Sequence, residues 1–327
     1  MKKRMTALAL LLSLLLAACG AEVQDGGSRS SFLEEASGLK SDTVLLTVDG
    51  REVPAWRYLY WLAHACGQMR EAYQTSGQIP DWCAPVGDGT LADVVKEQAL
   101  ADTVLYATVE NQAEEYACVA EDSEKHILPD MGLTEEQMAE LESVGRLYAA
   151  LYDVYATEGS SLFPAKEALA GYAQEQGILA VNRMLFSAGE DRDAARQRAE
   201  EAFSRLNGAE DQVETFGALA AESDDSTGVR TLRPGEMTLE ESLVAAAQVL
   251  ESGQCSGILE TEEGFSILMR ADVPNEELME EYFDHLLQTS AENASVILAP
   301  EYSALDAAAF AESFCSAMEQ PAEKAEL

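Results

Sequence analysis

Basic residues are scarce in this chain of 327 residues. It carries 21 Lys and Arg against 59 Asp and Glu, a net charge of −38. A surface of that sign repels phosphate backbones and anionic headgroups, so nucleic-acid binding is excluded. Histidine is rarer still. His64, His126 and His285 are scattered, without metal-ligand partners at useful spacing, and no metal site is expected. There is no Asp-x-Asp-x-Asp-Gly loop for Ca²⁺. There is no Gly-rich phosphate loop and no Gly-x-Ser-x-Gly nucleophile elbow. No Cys-x-x-Cys pair offers redox catalysis. No cofactor is expected.

The apolar run at residues 7–16 is too short to span a membrane as a mature helix. It follows the cations Lys2, Lys3 and Arg4 and ends Leu16-Ala17-Ala18-Cys19-Gly20. That order reads as a secretory leader, residues 1–18, closing in a bacterial lipobox. Cleavage before Cys19 would leave a lipidated cysteine that holds the chain to the extracytoplasmic face of the cell membrane. Loss of the three leader cations would move the net charge to about −41, since residues 1–18 contain no acid. Two readings of the acidity stay open: a solvated face, or a field that draws in basic clients or loosely held Ca²⁺. Residues 19–41 are polar and rich in Gly, Ser and Ala, and read as a flexible tether.

Cys66, Cys83, Cys118, Cys255 and Cys315 remain after Cys19. Cys66 and Cys83 flank one loop and form the leading candidate disulfide, against the alternative of buried free thiols.

Residues 43–48 read as a strand, closed by the Asp49-Gly50 turn. A helix rich in Trp56, Tyr58, Tyr60, Trp61 and Leu62 follows over residues 55–74. This cluster is helix core, or alternatively an aromatic groove for clients. Residues 78–89, marked by Pro80, Pro85, Gly87 and Gly89, read as a loop. Helical periodicity then runs over 90–118, 134–157 and 162–176, and Thr134-Glu135-Glu136-Gln137 forms a capping box. Beyond Pro274 come a helix over 275–291, a strand over 295–298 and a closing helix over 304–319.

Residues 177–273 hold a strand, a charged helix, a Phe216–Ala220 helical segment and the turn Ser223-Asp224-Asp225-Ser226. Next come Gly235-Glu236-Met237, a further helix, Ser256-Gly257 and the closing run Gly264-Phe265-Ser266-Ile267. In this order and spacing the stretch, over roughly 178–272, resembles the parvulin-type (PPIC, rotamase) peptidyl-prolyl isomerase domain. The Thr-Val-Asp-Gly-Arg-Glu-Val-Pro phrase at 47–54 likewise resembles the opening of SurA- and PrsA-like foldases. The resemblance implies an α+β fold: an α-rich domain built from residues 42–176 and 274–327, interrupted by a parvulin-like α/β domain at 177–273. It also implies that the strand at 296–298 returns to pair with residues 44–48.

By the same resemblance Asp225 faces the substrate amide, and Met237 and Leu243 line a proline pocket. Two floor histidines usual in the family are replaced by Arg183 and Ser266, and a usual Gly-Gly pair by Val229-Arg230. Rotation about an X-Pro bond needs no covalent intermediate or metal. It is speeded by binding the twisted amide better than the planar one. Arg183 beside Asp225 would keep that carboxylate ionised. The chain therefore reads as an extracytoplasmic foldase for unfolded or partly folded exported proteins with X-Pro segments. Its isomerisation would be weak or absent, and the alternative is a holdase that only binds such segments.

Overall fold

The computed structural model describes residues 30–120, 132–225, 227–236 and 239–319. Cys19 and Met237 lie outside them, so neither lipidation nor that wall of the expected pocket has a structural counterpart here.

The fold is α+β. The first element is a helix, α1 (Ser30–Ser37), within the span expected to be a tether. That expectation is corrected for these residues. Phe32, Leu33 and Ala36 fall on one side of the helix and pack into the main core, with Leu33 buried. Three apolar residues inside a Gly/Ser-rich stretch are enough to dock one short helix when a cleft accepts them.

Strands β1 (Val44–Val48) and β2 (Arg51–Pro54) form a hairpin. Its turn holds Asp49 and Gly50 at φ 49° and 88°, the left-handed region where Gly and Asp are tolerated. Helix α2 (Ala55–Thr75) starts directly after Pro54. Every residue from Ala55 to Ala63 is buried, Trp56, Tyr58, Tyr60, Trp61 and Leu62 included, so the aromatic helix is core and not a client groove. The loop that follows contains a minimal hairpin, β3 (Pro85–Val86) and β4 (Gly89–Thr90). It leads into α3 (Leu91–Glu115), capped by reciprocal Thr90 and Asp93 bonds. Helix α4 (Glu135–Ala156) opens on the capping box expected from sequence: Gln137 N–H donates to Thr134 Oγ1 at 3.2 Å, and Thr134 N–H to Gln137 Oε1 at 3.0 Å. Helix α5 (Lys166–Glu175) begins four residues later than its periodicity suggested.

The middle of the chain runs β5 (Leu179–Ser187), α6 (Arg192–Asn207), α7 (Gln212–Ala221), β6 (Val229–Leu232), α8 (Glu241–Gln248), β7 (Leu259–Glu260) and β8 (Gly264–Ala271). The four strands form one sheet in the order β6-β5-β8-β7, each neighbour antiparallel. Its two faces have separate cores. Met184, Phe186, Phe265, Ile267 and Met269 meet α6 and α7 on one side. Val181, Leu232 and Leu268 meet Leu243 and Ala247 of α8 on the other.

Helix α9 (Asn275–Asn293) carries the chain back, followed by β9 (Val296–Leu298), α10 (Pro300–Ala304) and α11 (Ala307–Glu319). The closing helix expected over 304–319 is therefore broken at Leu305-Asp306. The expected return strand is found: β9 pairs antiparallel with β1, in the register Leu46↔Leu298, Thr47↔Ile297 and Val48↔Val296. Residues before 178 and after 274 share their interior. Tyr302, Phe310 and Phe314 join the α2 core, and Phe283 and Leu287 of α9 join Val109, Val144 and Leu151. Cys66 is buried and Cys83 exposed, and both are free thiols, the alternative held beside that candidate pair. None of the helices among the described residues is long and apolar enough to cross a membrane.

Candidate functional site

The site lies on the α8 face of the four-stranded sheet, and register decides which side chains reach it. Side chains alternate along a strand, so Val181, Arg183 and Leu185 of β5 share this face. Their partners on β8 are Arg270, Leu268 and Ser266 respectively. Arg183 and Ser266, named from sequence, thus occupy neighbouring rows of one surface, and Leu243 of α8 covers the same face.

Asp225 reaches this face from the turn after α7, because that turn is stapled to β5. Asp224 N–H donates to Leu185 O at 2.8 Å, and the Asp224 carboxylate accepts from Ser187 N–H at 2.7 Å. Ser223 Oγ lies 2.8 Å from Ala220 O and 2.9 Å from Asp225 O, so its single proton is shared between the two carbonyls. The Ser-Asp-Asp sequence is therefore a fixture: the first two residues hold the turn and the third is projected over the sheet.

Asp225 is 9% exposed and is held from two sides by arginine. Arg183 Nε donates to Oδ2 at 2.7 Å, and Arg230 Nη2 contacts both carboxylate oxygens at 2.6 Å. Thr227 donates to Oδ1 through its N–H at 3.2 Å and through its hydroxyl. Arg183 continues outward, where Nη1 donates to Glu263 Oε2 at 3.0 Å. One guanidinium thus links the α7–β6 turn to the β7–β8 turn. Burial by itself raises the Asp225 carboxyl. The hydrogen bonds from Thr227 and Arg183 and the nearby Arg230 charge outweigh it and hold the pKa at about 2. Arg183 lies against Asp225, beside a second arginine that the sequence left without a role. Arg230 stands where the Gly-Gly pair is usual, and a cation in place of glycine next to an acidic turn was the available signal. Glu263, in the three-residue turn between β7 and β8, gave none.

A group whose folded pKa lies below its ordinary value of 3.8 contributes stability that is complete above that value and lost as pH falls through the folded pKa. We expect the turn bearing Asp225 to loosen between about pH 4 and pH 2. Hydrogen exchange at residues 183–187 and 223–232 measures it. An Asp225→Asn variant showing the same acid profile would refute the assignment.

Ser266 and Leu243 are placed differently from Asp225. Ser266 is fully buried, and among the described residues its Oγ has no hydrogen-bond partner. Leu243 is also fully buried, against Val181, Leu232 and Leu268. It is therefore a core residue of the interface between α8 and the sheet. No group of three His, Cys, Asp or Glu residues among the described residues is placed to hold a metal ion.

Residues 178–272 match the family model for the rotamase, PPIC-type PPIase domain, the same stretch singled out above by its order of elements. No curated protein matches the chain. Among solved structures it is similar to PrsA from Bacillus subtilis, at 16% identity over 88% of this chain and 94% of that one, with a TM-score of 0.26. It is also similar to the foldase protein PrsA from Streptococcus pneumoniae, at 12% identity over 86% and 96%, TM-score 0.24. A third likeness is to a SurA-like chaperone of Campylobacter jejuni, at 13% identity over 76% and 91%, TM-score 0.22.

Proposed function

We propose that the chain is an extracytoplasmic foldase whose 178–272 unit binds X-Pro segments of unfolded exported proteins and isomerises them weakly or not at all. The observation that carries this reading is the family match over 178–272 together with the Arg183–Asp225–Arg230 arrangement at its centre. Isomerisation is helped by groups that bind the twisted amide in a dry pocket. In this site the carboxylate meant to face the amide is already saturated by two guanidinium groups and Thr227. It has little capacity left to respond to a rotating bond. Arg183 and Arg230 remain as charged donors to a substrate carbonyl, which favours binding over turnover. Leu243 floors the apolar part of the pocket and Met237 would complete its wall.

The rest of the reading follows from sequence: removal of residues 1–18, lipidation at Cys19 and anchoring at the extracytoplasmic face of the membrane. The helical residues 42–176 and 274–327 would hold the client while the 178–272 unit samples its prolines. A second reading, a holdase with a purely binding 178–272 unit, is favoured by the same saturated carboxylate.

The test is a protease-coupled assay on Xaa-Pro tetrapeptides, run beside suppression of aggregation of a denatured protein. The expected outcome is turnover close to the uncatalysed rate, with aggregation suppressed at near-equimolar chain. Strong turnover that falls in Asp225→Ala would replace this reading with that of an efficient isomerase lacking the histidine pair. Failure to suppress aggregation would remove the foldase reading.

A further inference from the structure

The last described helix crosses the first long one. On α11, Phe310, Ala311 and Phe314 are buried in the core that α2 builds. Phe314 stands 6.0 Å from Phe32 of α1 and 6.1 Å from Phe310, ring centroid to ring centroid. Arg70 of α2 donates Nη1 to the Cys315 carbonyl at 3.2 Å. Cys66 lies one helical turn before Arg70 and so shares its face, the face that meets α11 at Cys315. Cys66 is fully buried and Cys315 half-buried, both in that one apolar cluster. Burial, with the Cys315 thiol close by, pushes the Cys66 thiol up, consistent with adjacent sulfurs. The other cysteines are elsewhere. Cys83 is exposed in the α2–α3 loop, Cys118 borders the α3–α4–α9 core, and Cys255 bridges to Met269 in the four-stranded sheet.

We propose that Cys66 and Cys315 are a disulfide-forming pair that staples α2 to α11 once the chain meets an oxidising compartment. The inference rests on the extracytoplasmic reading above. An external disulfide is the oxidant. The more accessible Cys315 thiolate attacks it, forming a mixed disulfide and releasing one thiolate. Cys66, deprotonated, then attacks the Cys315 sulfur and releases the second thiolate. Two protein thiols are oxidised and one external disulfide is reduced to two thiols. The link would close a loop spanning the whole 178–272 unit. A loop of that length constrains the unfolded chain strongly. It would also fasten the C-terminal return to the N-terminal core, adding a covalent link to the side-chain packing and the Arg70–Cys315 carbonyl hydrogen bond that join α11 to α2.

The experiment uses the full chain incubated with oxidised glutathione, blocked with an alkylating agent in denaturant without reductant, digested and mapped by mass. The expected result is a peptide joining Cys66 to Cys315, with Cys83, Cys118 and Cys255 alkylated. Tm should be higher in the oxidised form by roughly 5–15 °C, and that difference should vanish in Cys315→Ser. Alkylation of both Cys66 and Cys315, or a Cys66–Cys83 peptide, would overturn the pairing. The same mapping on chain extracted from cells separates the two claims. A pair that crosslinks in vitro but stays as thiols in cells would overturn the extracytoplasmic reading and leave the pairing intact.

Discussion

Asp225→Ala is expected to destabilise the 178–272 unit by about 3–5 kcal/mol, the cost of removing one partner from a buried ion pair. The residue contributes through what it neutralises. The Arg183 side chain is 11% exposed and the Arg230 side chain 28% exposed, and both are turned toward the one carboxylate. Without it, Arg183 keeps only the exposed Glu263, and an exposed ion pair adds about 0–1 kcal/mol. Arg230 keeps Thr227, whose own hold on the Asp225 carboxylate is lost as well. The triple variant Asp225→Leu, Arg183→Met, Arg230→Met, compared with the double variant Asp225→Leu, Arg183→Met that leaves Arg230 on Thr227 alone, removes the charges together and should recover much of the loss, because the penalty comes from an unpaired buried charge. Denaturant unfolding followed by fluorescence and by hydrogen exchange within 178–272 measures all of them. An Asp225→Ala variant within 1 kcal/mol of the parent would show that the pair is solvated and stabilises little. If the triple variant instead keeps the fold but loses binding of X-Pro peptides, the arginines are placed in recognition, as proposed.

Phe283→Ala is expected to cost about 3–5 kcal/mol, in the range for large aromatic deletions from a core. Phe283 is 1% exposed, and three tyrosine rings of α4 surround it: Tyr148 at 5.1 Å, Tyr152 at 5.4 Å and Tyr155 at 5.1 Å. The tyrosines lie at spacings of four and three, so one face of α4 clasps one side chain of α9. Beside them Tyr148 donates its hydroxyl to Asp284 at 2.6 Å, which fixes the rotation of α9. This contact joins the chain before the four-stranded sheet to the chain after it. Its loss should free α9 and expose the β1–β9 ladder to faster exchange, while the sheet of residues 179–271 stays protected. Equal loosening of both sheets would refute the view that Phe283 couples only the two outer segments. Tyr152→Phe serves as the control, since it keeps the ring and removes only the hydroxyl.

The sequence by itself determined the features whose cause is local. Thr134 and Gln137 fix the start of α4 through bonds that span three residues. Asp49-Gly50 supplies the left-handed turn between β1 and β2. The nine residues of β5 form a run long enough to show as a strand. The order of elements over 178–272 marked that unit without any contact being known. Tertiary structure decided the rest, because its causes are distant in the chain. Val229–Leu232 and Leu259–Glu260 are too short to display a period of two, and they are strands only because β5 and β8 offer free edges. Phe32 and Leu33 make a helix out of a polar stretch because α11, far along the chain, presents Phe314. The α2 aromatics look the same in sequence whether they line a groove or fill a core, and packing by α3 and α11 settles it. At the site, the resemblance implied that Arg183 would neutralise Asp225; the cation at Arg230 was legible beside the acidic turn, but its role became visible once sheet register set it opposite Val181 and one row from Arg183. A carboxylate's partners depend on which side chains the strands bring to one face, and that is a property of pairing which neighbouring residues do not encode.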